Sequence, residues 1–165
     1  MGLLRVNKFL ILVVLSVFVS CDDAKTFDSY KTLTNKAWGL DVPIVFKVAI
    51  DDVSHKHHVF LNIRTDNDYL YRNLYVLSKL TLPNKTVVQD TLEYEMTDAF
   101  GNWLGQGLTD VRDNKLYFLE NYQFPEKGVY QFEFTHGMRK RNDIEGVPSL
   151  TGITDIGLRI ENLSK

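Results

Sequence analysis

Val42-Pro43-Ile44-Val45-Phe46-Lys47-Val48-Ala49-Ile50 is the stretch that decides the fold. Its even positions are all apolar: Val42, Ile44, Phe46, Val48 and Ile50. The odd positions include Val45, Lys47 and Ala49. A period of two is the signature of an extended strand, because successive side chains leave opposite faces and one face is buried. The next segment, 57–65, repeats the pattern, with Val59, Leu61 and Ile63 on one side and Asn62 and Arg64 on the other. Asp51-Asp52-Val53-Ser54 between them is turn chemistry, so the two segments are expected to form a hairpin.

Further strands are expected at 73–82, 86–96, 115–124, 128–136 and 153–161. Turn formers separate them: Pro83-Asn84-Lys85, Asp98 with Gly101-Asn102, Asp113-Asn114, Pro125 to Gly128, Gly137 and Gly152. In 128–136, Tyr130, Phe132 and Phe134 face one way and Gln131, Glu133 and Thr135 the other; in 153–161, Ile156, Leu158 and Ile160 alternate with Gly157, Arg159 and Glu161. A single sheet with one apolar face would leave several hundred square ångströms of Ile, Val and Phe in water, more than soluble monomers show. A second sheet packed on the first buries both faces. The expected fold is therefore all-β, an antiparallel sandwich of about seven or eight strands, with a jelly roll as the close variant. Phe46, Val48, Leu61, Ile63, Phe132, Phe134, Leu158 and Ile160 are the expected core.

Upstream of the strands the chain changes character. Arg5 and Lys8 precede an apolar run from Phe9 to Val19, followed by Ser20-Cys21-Asp22-Asp23. A basic start, a short apolar core and a small residue before the cut describe a secretory signal. The run of eleven residues (9–19) is too short to span a bilayer, which takes about 20. Cys21, the only cysteine, stands where a bacterial lipoprotein signal is cut and where lipid is attached. The box before it reads Phe18-Val19-Ser20, with Phe18 in place of the usual aliphatic residue. The expected organisation is a signal peptide over 1–20, a short polar tether over 21–31, and one domain over 32–165. Two or more acyl chains hold a protein stably to a bilayer.

From Cys21 onward there are 17 basic and 21 acidic residues, a net charge of −4. That balance gives no reason to expect nucleic acid as a partner. No disulfide can form within this part of the chain, so stability rests on the core.

Several clusters carry groups capable of chemistry. His55 and His57, beside His58, would share a strand face and could suit two imidazole ligands, but nothing nearby completes a set beyond Asp51 and Asp52. Neither a metal nor another cofactor is expected. Glu93 and Glu95 also share a face, about 7 Å apart, yet they read as the wet side of an ordinary strand with Leu92, Tyr94 and Met96 inward. Trp38 and Trp103, with Tyr69, Tyr71 and Tyr75, could form an aromatic platform for sugar rings. No catalytic residues are expected, and the chain is read as non-enzymatic.

Five segments taken in order resemble one family: Asn67-Asp68-Tyr69-Leu70-Tyr71-Arg72-Asn73-Leu74-Tyr75, Asp90-Thr91-Leu92-Glu93-Tyr94, Gly101-Asn102-Trp103-Leu104-Gly105-Gln106-Gly107, His136-Gly137-Met138-Arg139, and Asp155-Ile156-Gly157-Leu158-Arg159-Ile160-Glu161. Behind a lipobox, they are similar to the gliding-motility lipoproteins of the GldH family in the Bacteroidota. The resemblance implies a lipidated Cys21, an outer-membrane location facing the periplasm or the surface, and partners among gliding or type IX secretion envelope proteins. Asp22-Asp23 resembles the export signal of surface lipoproteins in that phylum. Asp90-Thr91-Leu92 resembles its O-glycosylation site, with Thr91 the acceptor.

The leading expectation is a membrane-anchored component of the gliding machinery that acts by protein–protein contact. Tyr69, Tyr71, Trp103, Met138, Arg139 and Arg141 are the expected contact residues, because aromatics and Arg dominate interface centres. The alternative is a surface-tethered carbohydrate-binding module of a polysaccharide uptake system. It requires Trp38 or Trp103 to be exposed beside Tyr on one face.

Overall fold

The computed structural model describes residues 25–107 and 110–163. Cys21, and with it the expected signal peptide, lies outside the described residues. Among the described residues there are ten strands: β1 (Lys25–Thr32), β2 (Ala37–Gly39), β3 (Ile44–Ile50), β4 (His57–Thr65), β5 (Asn73–Thr81), β6 (Val87–Glu95), β7 (Arg112–Tyr122), β8 (Gly128–His136), β9 (Ser149–Thr151) and β10 (Ile153–Asn162). One short 3-10 turn, Thr34–Lys36, precedes β2.

The long strands form two four-stranded antiparallel sheets, ordered β1-β10-β4-β7 and β3-β8-β5-β6. β5 pairs with β6, β4 with β7, β3 with β8, and β1 with β10. That is one long nested hairpin rolled over on itself, a jelly roll. The rolling is closed by two further pairs, β10 with β4 and β5 with β8. β2 and β9 pair as a small separate sheet.

The period-two stretches behave as their patterns require. Ile44, Phe46, Val48 and Ile50 are buried, while Lys47 and Ala49 between them are exposed. All eight expected core residues are buried. They meet between the sheets with Trp38, Tyr69, Met96, Phe124 and Leu150.

Two expectations need correction. The segments 42–50 and 57–65 do not form a hairpin, because β3 and β4 belong to different sheets. The polar turn at 51–56 crosses between layers, which lets each strand bury its apolar face against the other's. The tether expected over 21–31 is strand from Lys25 onward, paired along β10 from Lys25↔Glu161 to Thr32↔Asp155. β1 is an edge strand with little apolar content, so ladder hydrogen bonds and the half-buried Phe27 hold it in place.

The topology gives the domain two ends. Lys25 and Asn162 lie at one end with the connections 51–56, 82–86 and 123–127. The opposite end carries the connections 33–43, 66–72, 96–111 and 137–148. The strands between span roughly 30 Å at about 3.3 Å per residue.

Candidate functional site

The end opposite Lys25 gathers the most exposed apolar side chains. Leu70 is 83% exposed, Phe100 92% and Ile144 88%. Leu70, Tyr71, Phe100 and Trp103 line one shallow cleft of about 290 Å³ together with Arg72 and Gly101. Tyr71 continues into a second cleft of about 410 Å³, shared with Tyr75, Met138, Arg139 and Arg141. The surface therefore runs from an apolar tip at Phe100 to a basic rim at Arg139 and Arg141.

These loops are built as well as exposed. Asp98 accepts hydrogen bonds from the Phe100 and Asn102 backbone N–H groups at 2.8 Å each, and from the Asn102 side chain. Those bonds, the Asn102 ones foremost, hold the Asp98 carboxyl below its ordinary range. Gly101, at φ +87°, turns the tip through a conformation that suits glycine. Arg72 Nη2 donates to the carbonyls of Asp98 (2.9 Å) and Ala99 (3.2 Å), stapling this turn to the 66–72 loop. Arg112 lies over the Trp103 ring at 4.9 Å and donates to Asn67 at 2.9 Å. Phe100 is thus displayed on an ordered turn.

The basic rim belongs to a loop that folds back on itself. Arg139 and Gly146 form a bridge, and Val147 N–H donates to the Met138 carbonyl at 2.8 Å. Arg139, Lys140 and Arg141 are exposed at its outer side, with Ile144 near its tip. The Met138 sulfur accepts from the Tyr75 N–H, which ties the rim to β5.

Of the six contact residues expected, four are placed on this surface: Tyr71, Trp103, Arg139 and Arg141. Tyr69 and Met138 are buried, so Tyr69 offers no surface and Met138 only part of the wall of the second cleft. Tyr69 supports the others from beneath: its ring lies 5.8 Å from Tyr71 and 6.1 Å from Trp103, and its hydroxyl donates to the Asn73 carbonyl at 2.7 Å. Burial pushes its phenol upward, so it stays protonated. Leu70 and Phe100 were missed. Neither belongs to an alternating stretch, and only their position at loop tips reveals them.

The sugar platform is assembled only in part: Trp103 and Tyr71 share a cleft, and Trp38 and Tyr69 are withdrawn from it. Trp38 is in the core, its indole N–H donating to the Val42 carbonyl and its ring edge-on to His136 at 5.5 Å. The histidines diverge. His55 bonds Asp52 at 2.6 Å, His57 packs edge-on to Phe124 inside, and His58 meets Tyr117 edge-on on the outer face. Glu93 accepts from Asn73 at 2.7 Å and is held below its ordinary range by that bond and by Tyr75. An ionised, exposed carboxylate of this kind is no reservoir of acid. Thr91 is exposed on the outer face of β6.

These features define a class: a jelly-roll domain whose most exposed apolar side chains stand opposite the end where its chain enters. A model of the GldH lipoprotein family matches residues 25–160. The chain is 39% identical to a protein called "gliding motility lipoprotein GldH homolog" from Christiangramia forsetii, covering 94% of each chain. It is 36% identical to the gliding motility lipoprotein GldH of Flavobacterium johnsoniae, covering 94% of this chain and 96% of the relative. The chain belongs to the GldH lipoprotein family. Among solved structures it is similar to infectious bursal disease virus VP2 (TM-score 0.41, 11% identity, 84% of this chain and 33% of the other). It is also similar to latent PorU from Porphyromonas gingivalis (TM-score 0.36, 10% identity, 82% and 13%). Both likenesses are too slight to bear on function.

Proposed function

We propose that this protein is a lipid-anchored envelope component of a gliding apparatus, and that it works by docking through the end of the sandwich farthest from its anchor. Acyl chains on Cys21 would hold it to the outer membrane. Only three residues separate Cys21 from Lys25. Such a segment reaches at most roughly 14 Å, so the Lys25 end stays close to the bilayer. The loops bearing Leu70, Tyr71, Phe100 and Trp103 then face away from it. Confinement to a membrane raises the effective concentration of the domain near partners in the same envelope.

The observation that carries this reading is Phe100, an aromatic side chain held almost fully in water by an ordered turn. A large apolar group displayed in that way, beside Tyr and Arg, fits the centre of a protein interface. The partner class is another envelope protein of the gliding or type IX secretion system, and the protein's role is non-catalytic. The reading as a carbohydrate-binding module loses Trp38 and Tyr69, which are core residues, and keeps only the half-buried Trp103 beside Tyr71. Thr91 is accessible to an O-linked glycan on the β6 face.

Replacing Cys21 by Ser should release the protein from membranes and abolish gliding, and normal membrane fractionation of that variant would refute the anchor. Capture from cross-linked cells should recover motility-machine subunits, and recovery of glycan importers instead would refute the partner class.

A further inference from the structure

A second concavity lies apart from that surface, on the outer face of the β1-β10-β4-β7 sheet. It encloses about 540 Å³, and its lining includes Tyr30, Asn62, Glu95, Gln106, Lys115 and Arg159. The register explains the convergence: Asn62 on β4 faces Gly157 on β10 and Lys115 on β7, while Gly157 faces Tyr30 on β1. The missing side chain at Gly157 makes room for Tyr30. A Cβ there would come within 2.7 Å of the Tyr30 ring. The wall is the segment carrying Leu104 and Gln106, which lies across β7 because Gly105 has no Cβ to strike the Asn114 side chain, 2.4 Å away.

Its floor is unusual for an outer sheet face. Asn62 is only 3% exposed. Its Nδ2 donates to the Tyr30 hydroxyl at 2.9 Å, while its Oδ1 has no hydrogen-bond partner. A buried amide with half its capacity unused is costly unless something fills it. Tyr30 itself is fixed, with the Arg64 guanidinium 4.1 Å above its ring. Burial raises its phenol, so the hydroxyl keeps its proton at neutral pH.

The charge of the lining is balanced. Glu95 and Asp113 stand against Lys115 and Arg159. Both cations are already engaged: Lys115 bonds Glu161 at 2.8 Å, and Arg159 bonds Glu161 and Asp28. Asp113 is likewise bonded to Arg64 at 3.1 Å, so an anion finds its cations already paired, and the exposed Glu95 alone offers a cation one carboxylate, too few for a site. Leu104 and Leu116 give too little apolar wall for a lipid tail or a greasy peptide. The remaining fit is a compact neutral molecule rich in hydroxyl or acetamido groups. We propose that this cleft is a binding site for a neutral saccharide, held by Asn62, Tyr30 and Gln106.

The test is a titration of the isotope-labelled full chain, in a detergent free of sugar, with chitotriose and separately with cellotriose up to about 10 mM, a range that detects dissociation constants of about 1 mM. Saturable amide shifts at Tyr30, Asn62, Gln106, Lys115 and Arg159 with at least one of them are expected. Tyr30→Phe keeps the ring and its packing, and Gln106→Ala lies on the wall. Each should weaken binding about fivefold to tenfold, the worth of one hydrogen bond. Gln106→Ala should leave the thermal midpoint unchanged, whereas Tyr30→Phe, which also strips the buried Asn62 Nδ2 of its acceptor, should lower it. Three results would each overturn the site: no saturable shift with either sugar, affinities unchanged in both variants, or the same shifts only from a neutral Gly-Ser-Asn peptide.

Discussion

At the Lys25 end, the connections 51–56, 82–86 and 123–127 satisfy their own polar groups. Asp52 accepts from Ser54 and His55, Asn84 from the Thr86 N–H, and Glu126 from the Asn84 N–H. The large exposed apolar side chains there are three valines and Leu163. At the opposite end the connections are longer, and they carry Leu70, Phe100, Leu104 and Ile144 into water. Both ends are tied down by Asp- and Asn-based turns, so order does not distinguish them. What differs is the side chain each turn displays. A chain that spends an ordered turn on holding Phe100 outward treats that end as a surface to be covered.

The largest effect should come from breaking the support beneath the far end. Trp38→Ala removes a fully buried indole and should cost about 3–5 kcal/mol, read as a lower midpoint in chemical denaturation. Trp103→Ala, at the half-buried rim, should cost clearly less. Equal losses would erase the distinction between the core indole and the surface one. Next comes the surface itself. Phe100→Asp or Leu70→Asp should leave stability within about 0.5 kcal/mol. Either should reduce partner capture from cells by an amount matching at least about 2 kcal/mol, as loss of an interface hot spot does. The matching change at the near end, Val87→Asp, should leave capture intact.

A smaller effect concerns pH. His57 at the near end and His136 toward the far end are both buried, and neither ring makes a well-formed hydrogen bond among the described residues. Burial pushes both imidazoles below their ordinary value; Asp52 partly counters this at His57, the Trp38 backbone and Asp41 at His136. The unfolded chain takes up protons near pH 6.5 while the folded one resists. Stability should therefore be full above that pH and fall as pH drops through 6.5 toward the lowered folded values. Denaturation curves between pH 7.5 and 5 should show this slope, and His136→Phe should flatten it. A slope unchanged by that replacement would mean His136 is not the group responsible. The smallest effect is expected from the rim: Arg139→Glu with Arg141→Glu should slow association with an acidic partner and remove part of its salt dependence.

Much of the sandwich was legible because its central strands alternate cleanly. β3, β8 and β10 each carry an unbroken inward row, and their faces follow from parity alone. β1 was not legible. Its residues, Lys-Thr-Phe-Asp-Ser-Tyr-Lys-Thr, read as a polar tether, and only pairing with a strand some 130 positions away makes them a strand. The assignment of β3 and β4 to different sheets was hidden for the same reason, since a polar six-residue connection serves a hairpin or a crossover equally well. At the candidate surface, residue type pointed to Tyr71, Trp103, Arg139 and Arg141. It could not separate them from Tyr69 and Met138, because burial of a loop residue depends on what folds over it. Gly152 shows how tight that packing is, its position leaving a Cβ only 2.1 Å from the Tyr69 nitrogen.

Photo-cross-linking in living cells addresses the polarity of the molecule most directly. A photoreactive residue at position 100 should yield a discrete protein adduct, while the same group at positions 56, 85 or 127 should yield none or only lipid. Protein adducts confined to the Lys25 end, with position 100 unreactive, would contradict the account.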